Sequence, residues 1–351
     1  MAELIPIFDG HNDTILSIMA GKTNLFGENE SGHIDLPKAK KGGLAGGFFA
    51  VFVPNQEVRI DVNDPNASPF GSKETMPPMM TTEYAMAFAA AALGRLIRLE
   101  EESNGAATIV RTTADLQAAI DNGTFAIELH FEGAEAIDTD LNALDTWYAA
   151  GLRSLGLVWS RENLFGHGVP FAFPSSPDTG PGLTDAGKRL VRRCNELGIM
   201  LDLSHLNEAG FWDVAGISQH PLVATHSNAH AICASTRNLT DKQLDAVKDS
   251  QGVVGLNFNA GFLNPEGRRE AEHSNVSIMA DHIDYLVARL GDDKVALGSD
   301  FDGAVMPSDL KDAAGLPLLI DELRSRGYDD AVLRKIGYEN WIRVLDLTWK
   351  K

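Results

Sequence analysis

Near the start of the chain a histidine and an aspartate stand one residue apart, in Phe8-Asp9-Gly10-His11-Asn12-Asp13. Side chains two apart on a strand point to the same face. His11 and Asp13 at a strand end therefore offer a nitrogen and an oxygen donor side by side, a pairing that suits Zn2+. Alone the pair is a weak signal, because a turn in which Asn12 and Asp13 cap the next helix reads equally well. Three more short apolar runs end on donors: Glu128-Leu129-His130-Phe131-Glu132-Gly133, Leu201-Asp202-Leu203-Ser204-His205 and Val223-Ala224-Thr225-His226-Ser227. Two metals roughly 3.5–4 Å apart need a shared ligand, which a carboxylate supplies. Glu132, the most C-terminal acid of its run, is the candidate. Glu128 and His130 share its face but lie deeper, and read as buried, hydrogen-bonded supports. His11, Asp13, Glu132, His205 and His226 together spell a binuclear zinc site for hydrolysis. A last run ends Gly298-Ser299-Asp300-Phe301-Asp302-Gly303. Asp300 is the candidate for taking and then delivering a proton. Asp302 is a second candidate if the chain stays extended, and a turn residue before Gly303 if it does not.

Such donors converge only if their strands are neighbours with the same polarity. Short apolar runs alternate with amphipathic stretches in about eight cycles by periodicity. The candidate strands are Ile5–Asp9, Gly46–Val53, Phe125–Phe131, Arg153–Trp159, Ile199–Leu203, Leu222–Thr225, Val253–Asn257 and Val295–Gly298. Continuous apolar runs are how parallel strands covered on both faces read. Helical patterns fill the gaps, from the Ala-rich Thr82–Glu102 and a segment opening at Thr113 to Leu141–Ala150 and Thr184–Leu197. Thr240–Lys248, Val276–Leu290, Leu316–Arg326 and Tyr338–Leu347 follow. The expected fold is α/β, a (β/α)8 TIM barrel of the metal-dependent hydrolase type, one domain over residues 1–351; an open parallel sheet is the alternative. Two Pro-rich loops, Pro54–Pro78 and Ser160–Pro181, follow strands and would lie on the C-terminal face, where barrels build their sites.

Composition bounds the rest. Against 30 Lys and Arg stand 49 Asp and Glu, a formal charge of −19 that phosphate backbones would repel, so no nucleic-acid partner is expected. Two cysteines are too few for a disulfide framework. The opening Met1-Ala2-Glu3-Leu4-Ile5-Pro6 has no basic stretch and no long apolar run, so no membrane partner and a cytoplasmic location are expected.

In this order the pieces resemble the membrane dipeptidase (renal dipeptidase) family, peptidase M19, within the amidohydrolase-like barrels. The resemblance runs over essentially the whole chain. It rests on His11-Asn12-Asp13, Phe131-Glu132-Gly133, Asp202-Leu203-Ser204-His205, His226-Ser227 followed by Arg237-Asn238, and Gly298 through Gly303. It implies a bacterial-type soluble zinc dipeptidase with two Zn2+ per subunit. His11 and Asp13 would bind one, His205 and His226 the other, with Glu132 and a hydroxide as bridges. Attack by that hydroxide, a proton shuttled by Asp300, and a grip on the free amine by Asp300 are implied with it. So is receipt of the C-terminal carboxylate by Arg237, whose planar fork matches a carboxylate. Dipeptides, including those with a C-terminal D-residue, and a homodimer follow from the resemblance alone. One departure stands out. The renal enzyme has a histidine that polarises the scissile carbonyl, and Trp159 matches it here. An indole donates one hydrogen bond but carries no proton charge. Asn163 and His167, in the following loop, are the candidates to take over. The rival readings are a metal amidohydrolase acting on N-acyl amino acids or lactones, and a non-catalytic metal- or ligand-binding barrel.

Overall fold

The computed structural model describes residues 4–55 and 76–350. Its strands are β1 (Ile7–Asn12), β2 (Leu44–Phe52), β3 (Ala107–Ile109), β4 (Phe125–Glu132), β5 (Leu152–Gly156), β6 (Met200–Asp202), β7 (Val223–Ala224), β8 (Val253–Leu256) and β9 (Val295–Leu297). Every pairing among them is parallel. The path β1-β2-β4-β5-β6-β7-β8-β9 carries all eight expected runs, with β3 off it. A bridge between Asn12 and Phe301 joins the two ends. Asp13 N donates to Phe301 O at 2.8 Å and Asp300 N to His11 O at 2.9 Å across the same seam. The protein is a near-closed barrel of eight parallel strands with helices around it.

Burial on both faces explains why the strands read as apolar runs: every residue of β4, Phe-Ala-Ile-Glu-Leu-His-Phe-Glu, is buried. A smaller core cluster draws Phe8, Phe48, Ala126, Met200, Val223, Val253 and Ala296 from successive strands onto Trp341 of the C-terminal helix Asn340–Asp346. The indole also donates to Leu297 O at 3.1 Å. A larger cluster joins the other strand faces to the helices.

Several helices begin and end on chemistry visible in the chain. Thr82–Glu102 is capped by the Thr81 side chain, and Asp185–Leu197 by Thr184, with Gly198 in the left-handed conformation at its end. Three expectations need correction. The first strand starts later and runs to Asn12, because its pairing with β2 continues to Phe49. β3 was not expected; its three residues pair with the start of β4, before β5 takes that edge at Leu129. The helix Glu208–Ile217 was also unexpected, and begins where the Asn207 side chain accepts from Gly210 N.

Most of the expected loop Pro54–Pro78 lies outside the described residues. Ser160–Pro181 follows β5 as expected and carries no helix or named strand. Among the described residues no helix is long and apolar enough to cross a membrane.

Candidate active site

Strand polarity sends the donors to one end of the barrel. His11 lies near the end of β1, Asp13 just past it, and Glu132 is the last residue of β4. His205 and His226 follow β6 and β7, and Asp300 follows β9. Ligand atoms of Glu132, His205 and His226 lie within 4.8 Å of one another, as do those of His11, Asp13 and Asp300. Glu132 stands between the two groups: Oε1 is 3.0 Å from His205 Nε2 and 3.8 Å from His226 Nε2, and Oε2 is 3.7 Å from His11 Nε2. The structure thus brings together all five residues expected as ligands, together with Asp300.

Counting hydrogens shows what this cluster suits. The Thr225 hydroxyl lies 2.6 Å from Asp202 Oδ2 and 2.8 Å from His226 Nδ1. Asp202 is held below the ordinary carboxylate range: burial works against this, and His130 with the Ser204 and Thr225 hydrogen bonds outweighs it. An ionised carboxylate only accepts, so Thr225 gives its one proton to Asp202 and accepts from His226 Nδ1–H. His226 Nε2 is then a bare lone pair. His205 Nε2 accepts from Arg237 Nη2 at 3.2 Å, which puts that ring's proton on Nδ1, 2.9 Å from Ser160 Oγ. The two Nε2 atoms are 3.1 Å apart. Acceptor therefore faces acceptor, beside a carboxylate, in a buried place. Burial, with Arg237 and His11, pushes both imidazoles down, His205 to about 4 and His226 well below its ordinary value. Protonating the rings is thus unfavourable, and nitrogens and carboxylate oxygens crowded without protons are the donor set a divalent transition metal takes.

His11 belongs to the same centre on different terms. Both its ring nitrogens are buried and have no hydrogen-bond partner. Burial pulls its pKa down, but Glu132 and Asp13 outweigh it and push it up to about 10.

Asp300 is partly buried, with Oδ2 accepting from Asn257 Nδ2 at 3.0 Å. Burial is the main cause that pushes it up to about 6. Its φ is +62° and that of Asp302 is +65°, so the chain does not stay extended after β9. Asp302 turns away instead. It accepts from Thr14 Oγ1 and His33 N, each at 2.7 Å, while its own N–H meets His33 Nδ1 at 2.8 Å. It ties loops together, as the turn reading had it.

Arg237 is fully buried beside the centre. It donates to Ser204 O through Nη1 and to His226 O through Nη2, and its guanidinium lies over the Phe262 ring at 5.4 Å. Nε has no hydrogen-bond partner, which leaves one donor open. Trp159 is at the site too, with its ring 6.0 Å from that of His205 and 5.5 Å from that of Phe171. The two residues expected to replace the missing histidine are engaged elsewhere. Asn163 spends both ends of its amide on its own loop, donating to Leu157 O and accepting from Phe165 N, each at 2.9 Å. His167 Nδ1 pairs with Glu162 at 3.2 Å, and the ring is partly exposed. The structure gives neither a contact with the ligand cluster.

Sequence reasoning missed the residues that hold the site from outside. Asp202 has no role by residue pattern alone, yet it accepts from Ser204 N and Oγ and from Thr225 N and Oγ1. Asp9 accepts from Ser299 N at 2.6 Å and Ser299 Oγ at 2.8 Å, pinning β1 to the end of β9. Glu135 and Arg161 form a buried pair at 2.8 Å. Glu128 and His130 share the Ser154 hydroxyl at 2.9 and 2.8 Å, as befits supports.

The family model of the membrane dipeptidases (peptidase family M19) matches residues 1–349. An uncharacterised protein of the pqqA 5' region of Klebsiella pneumoniae is 48% identical over 74% of this chain and 95% of its own. A Rhodobacter sphaeroides metallo peptidase, solved with a phosphinate mimic of the dipeptide L-Ala-D-Ala, is 49% identical. It covers 99% of this chain and 100% of its own, with a TM-score of 0.94. A further metallo peptidase of family M19, dipeptidase AC, is also 49% identical over 99% of both chains, with a TM-score of 0.92. The chain belongs to the membrane dipeptidase family, peptidase family M19, and is a metallo-dipeptidase.

Proposed function

We propose that this chain hydrolyses dipeptides at a pair of zinc ions held by His11, Asp13, Glu132, His205 and His226, with the whole chain as one barrel domain. The observation that carries this is the meeting of His205 Nε2, His226 Nε2 and Glu132 Oε1 as unprotonated acceptors, 3.0 to 3.8 Å apart. Bound there, a metal pair supplies Lewis acidity and a nucleophile drawn from water near neutral pH.

The chain's own groups do the rest. Arg237 receives the substrate's C-terminal carboxylate, for which Nε–H is the open donor. Asp300, across the centre and held by Asn257, faces the free amine. It takes the proton of the attacking water and delivers it to the leaving nitrogen, so one carboxylate serves both halves of the reaction. Gripping both ends of the substrate selects dipeptides over longer peptides. Trp159 and Phe171 screen the His205 side from water. With Trp159 in that place and Asn163 and His167 committed to their loop, none of the three side chains is left to polarise the carbonyl, which a bound metal would do. The Rhodobacter sphaeroides relative binds a mimic of L-Ala-D-Ala, which supports dipeptides with a C-terminal D-residue as substrates here.

The test is Asp300→Asn, assayed on L,L and L,D dipeptides with zinc content measured. Turnover is expected to fall by about 100-fold or more at full zinc occupancy, within the range for losing a general acid–base. Near-normal turnover at full occupancy would remove Asp300 from its role. An N-acetylated substrate should be refused, because it lacks the amine that Asp300 holds.

A further inference from the structure

The two halves of the centre are supported very differently. On one half, both imidazoles are locked from behind. His226 Nδ1 donates to Thr225 Oγ1, and the threonine donates to Asp202. Asp202 Oδ1 is itself fixed by Ser204 N at 3.1 Å, Ser204 Oγ at 2.6 Å and Thr225 N at 2.8 Å. His205 Nδ1 is held by Ser160 Oγ at 2.9 Å, from a different loop. Each ring therefore has a set tautomer and a set tilt, with Nε2 presented. Asp202, Thr225 and Ser160 are all buried. On the other half, neither ring nitrogen of His11 has a hydrogen-bond partner: Nε2 faces the carboxylates of Glu132 and Asp13 at 3.7 and 3.8 Å, and no hydrogen bond holds Nδ1 behind the ring, which packs 3.8 Å from that of His226 and 5.4 Å from that of His130. The Asp13 side chain does not cap the helix it precedes, and its ion-pair neighbour is His11 Nε2 at 3.8 Å, beyond hydrogen-bond distance.

We propose that Asp202, acting through Thr225, together with Ser160, positions the His205–His226 half as a tight metal position, while the unsupported His11–Asp13 half is a weak and exchangeable one. This rests on the metal-pair reading above. Hydrogen bonds behind a ligand fix its tautomer and orientation and raise its basicity, and losing one costs roughly 10- to 100-fold in metal affinity. Asp202 and Thr225 are positioning residues, for they act on the metal only through His226. Asp202 is not itself needed as a ligand: Oδ1 already accepts three hydrogen bonds and Oδ2 takes the threonine proton.

The experiment is a Zn2+ titration of the full chain, stripped by dialysis, in competition with a chromophoric chelator. Two Zn2+ per chain should bind in steps at least tenfold apart, and Asp13→Ala should remove only the weaker. Thr225→Val, which keeps the shape and loses the hydroxyl, should weaken the tighter step by roughly 10- to 100-fold and spare the weaker. Thr225→Ser should restore it. Ser160→Ala should weaken the same tighter step from a separate loop, which keeps the test decisive should the valine variant fold poorly. Equal steps in the wild type, valine acting on the weaker step, or serine behaving as valine would each overturn the proposal. Uptake of fewer than two Zn2+ by the wild type would instead overturn the metal-pair reading beneath it.

Discussion

Gly303 is the position where one added carbon should do most harm. It lies in the turn after β9, with Asp13 on one side and Asp300 on the other. A Cβ built there would stand 2.0 Å from Asp13 Oδ2 and 2.7 Å from Asp300 Oδ1. Ordinary contact begins at 3.4 Å, so the Asp13 oxygen would have to retreat by about 1.4 Å and the Asp300 oxygen by about 0.7 Å. The backbone of Gly303 is not left-handed, so alanine meets no strain of its own there and the whole effect must come through the two carboxylates. Misplacing a reacting group by about 1 Å costs on the order of 100-fold. Gly303→Ala is therefore expected to lower kcat/KM for a dipeptide by about 100-fold or more and, on the proposed ligand set, to loosen a zinc held by Asp13. Steady-state kinetics and zinc content on the same preparation check this, with a thermal melt to show that the fold survives. A variant with wild-type kcat/KM and wild-type zinc affinity at both steps would refute the placement of Asp13 and Asp300 against this turn.

Stripping the metal with a chelator should lower the melting temperature and added Zn2+ should restore it, since ligand at 1,000 times its Kd stabilises by about 4 kcal/mol per site. His282, far from the centre in chain order, should make the stripped protein sensitive to acid. Its Nδ1 accepts from Ala229 N and its Nε2 meets Leu263 O, and burial pushes its pKa down to about 4. The unfolded chain binds that proton below about pH 6.5 and the folded chain only below about 4, so stability is whole above 6.5 and drains away as pH falls between the two values. The full loss is on the order of 3 kcal/mol, and urea midpoints of His282→Gln should lack that part of the pH slope. Arg161→Met should cost about 3–5 kcal/mol in urea unfolding, because it strands the buried Glu135 carboxylate.

What the chain disclosed in advance depended on distance along it. His11, Glu132, His205 and His226 were legible because each stands at or just past the end of an apolar run, and parallel strands carry such ends to one mouth. Helix Thr82–Glu102 was legible because its alanines and its Thr81 cap act locally. Asp202, Thr225 and Ser160 were not, since their roles arise from strand register, with Asp202 opposite Val223 on the neighbouring strand. Asp302 turned aside because two left-handed residues broke an extension that the pattern of types could not reveal. Asn163 and His167 were placed by loop position alone, and their loop claims their side chains.

The seam of the barrel has a consequence for how the enzyme is made. The Ser299 hydroxyl closes on the carbonyl of His11 across 288 positions of chain, and Asp300 follows directly. At about 5–20 residues per second, a ribosome adds the second side of that seam roughly 15 to 60 seconds after the first. Contacts so remote in sequence form late in folding as well. A nascent chain that still lacks β9 can therefore carry all five proposed ligands but not Asp300, the proposed proton shuttle. On the proposed role of Asp300, efficient cleavage waits until the last strand meets the first, so an unfinished copy would be a poor consumer of dipeptides.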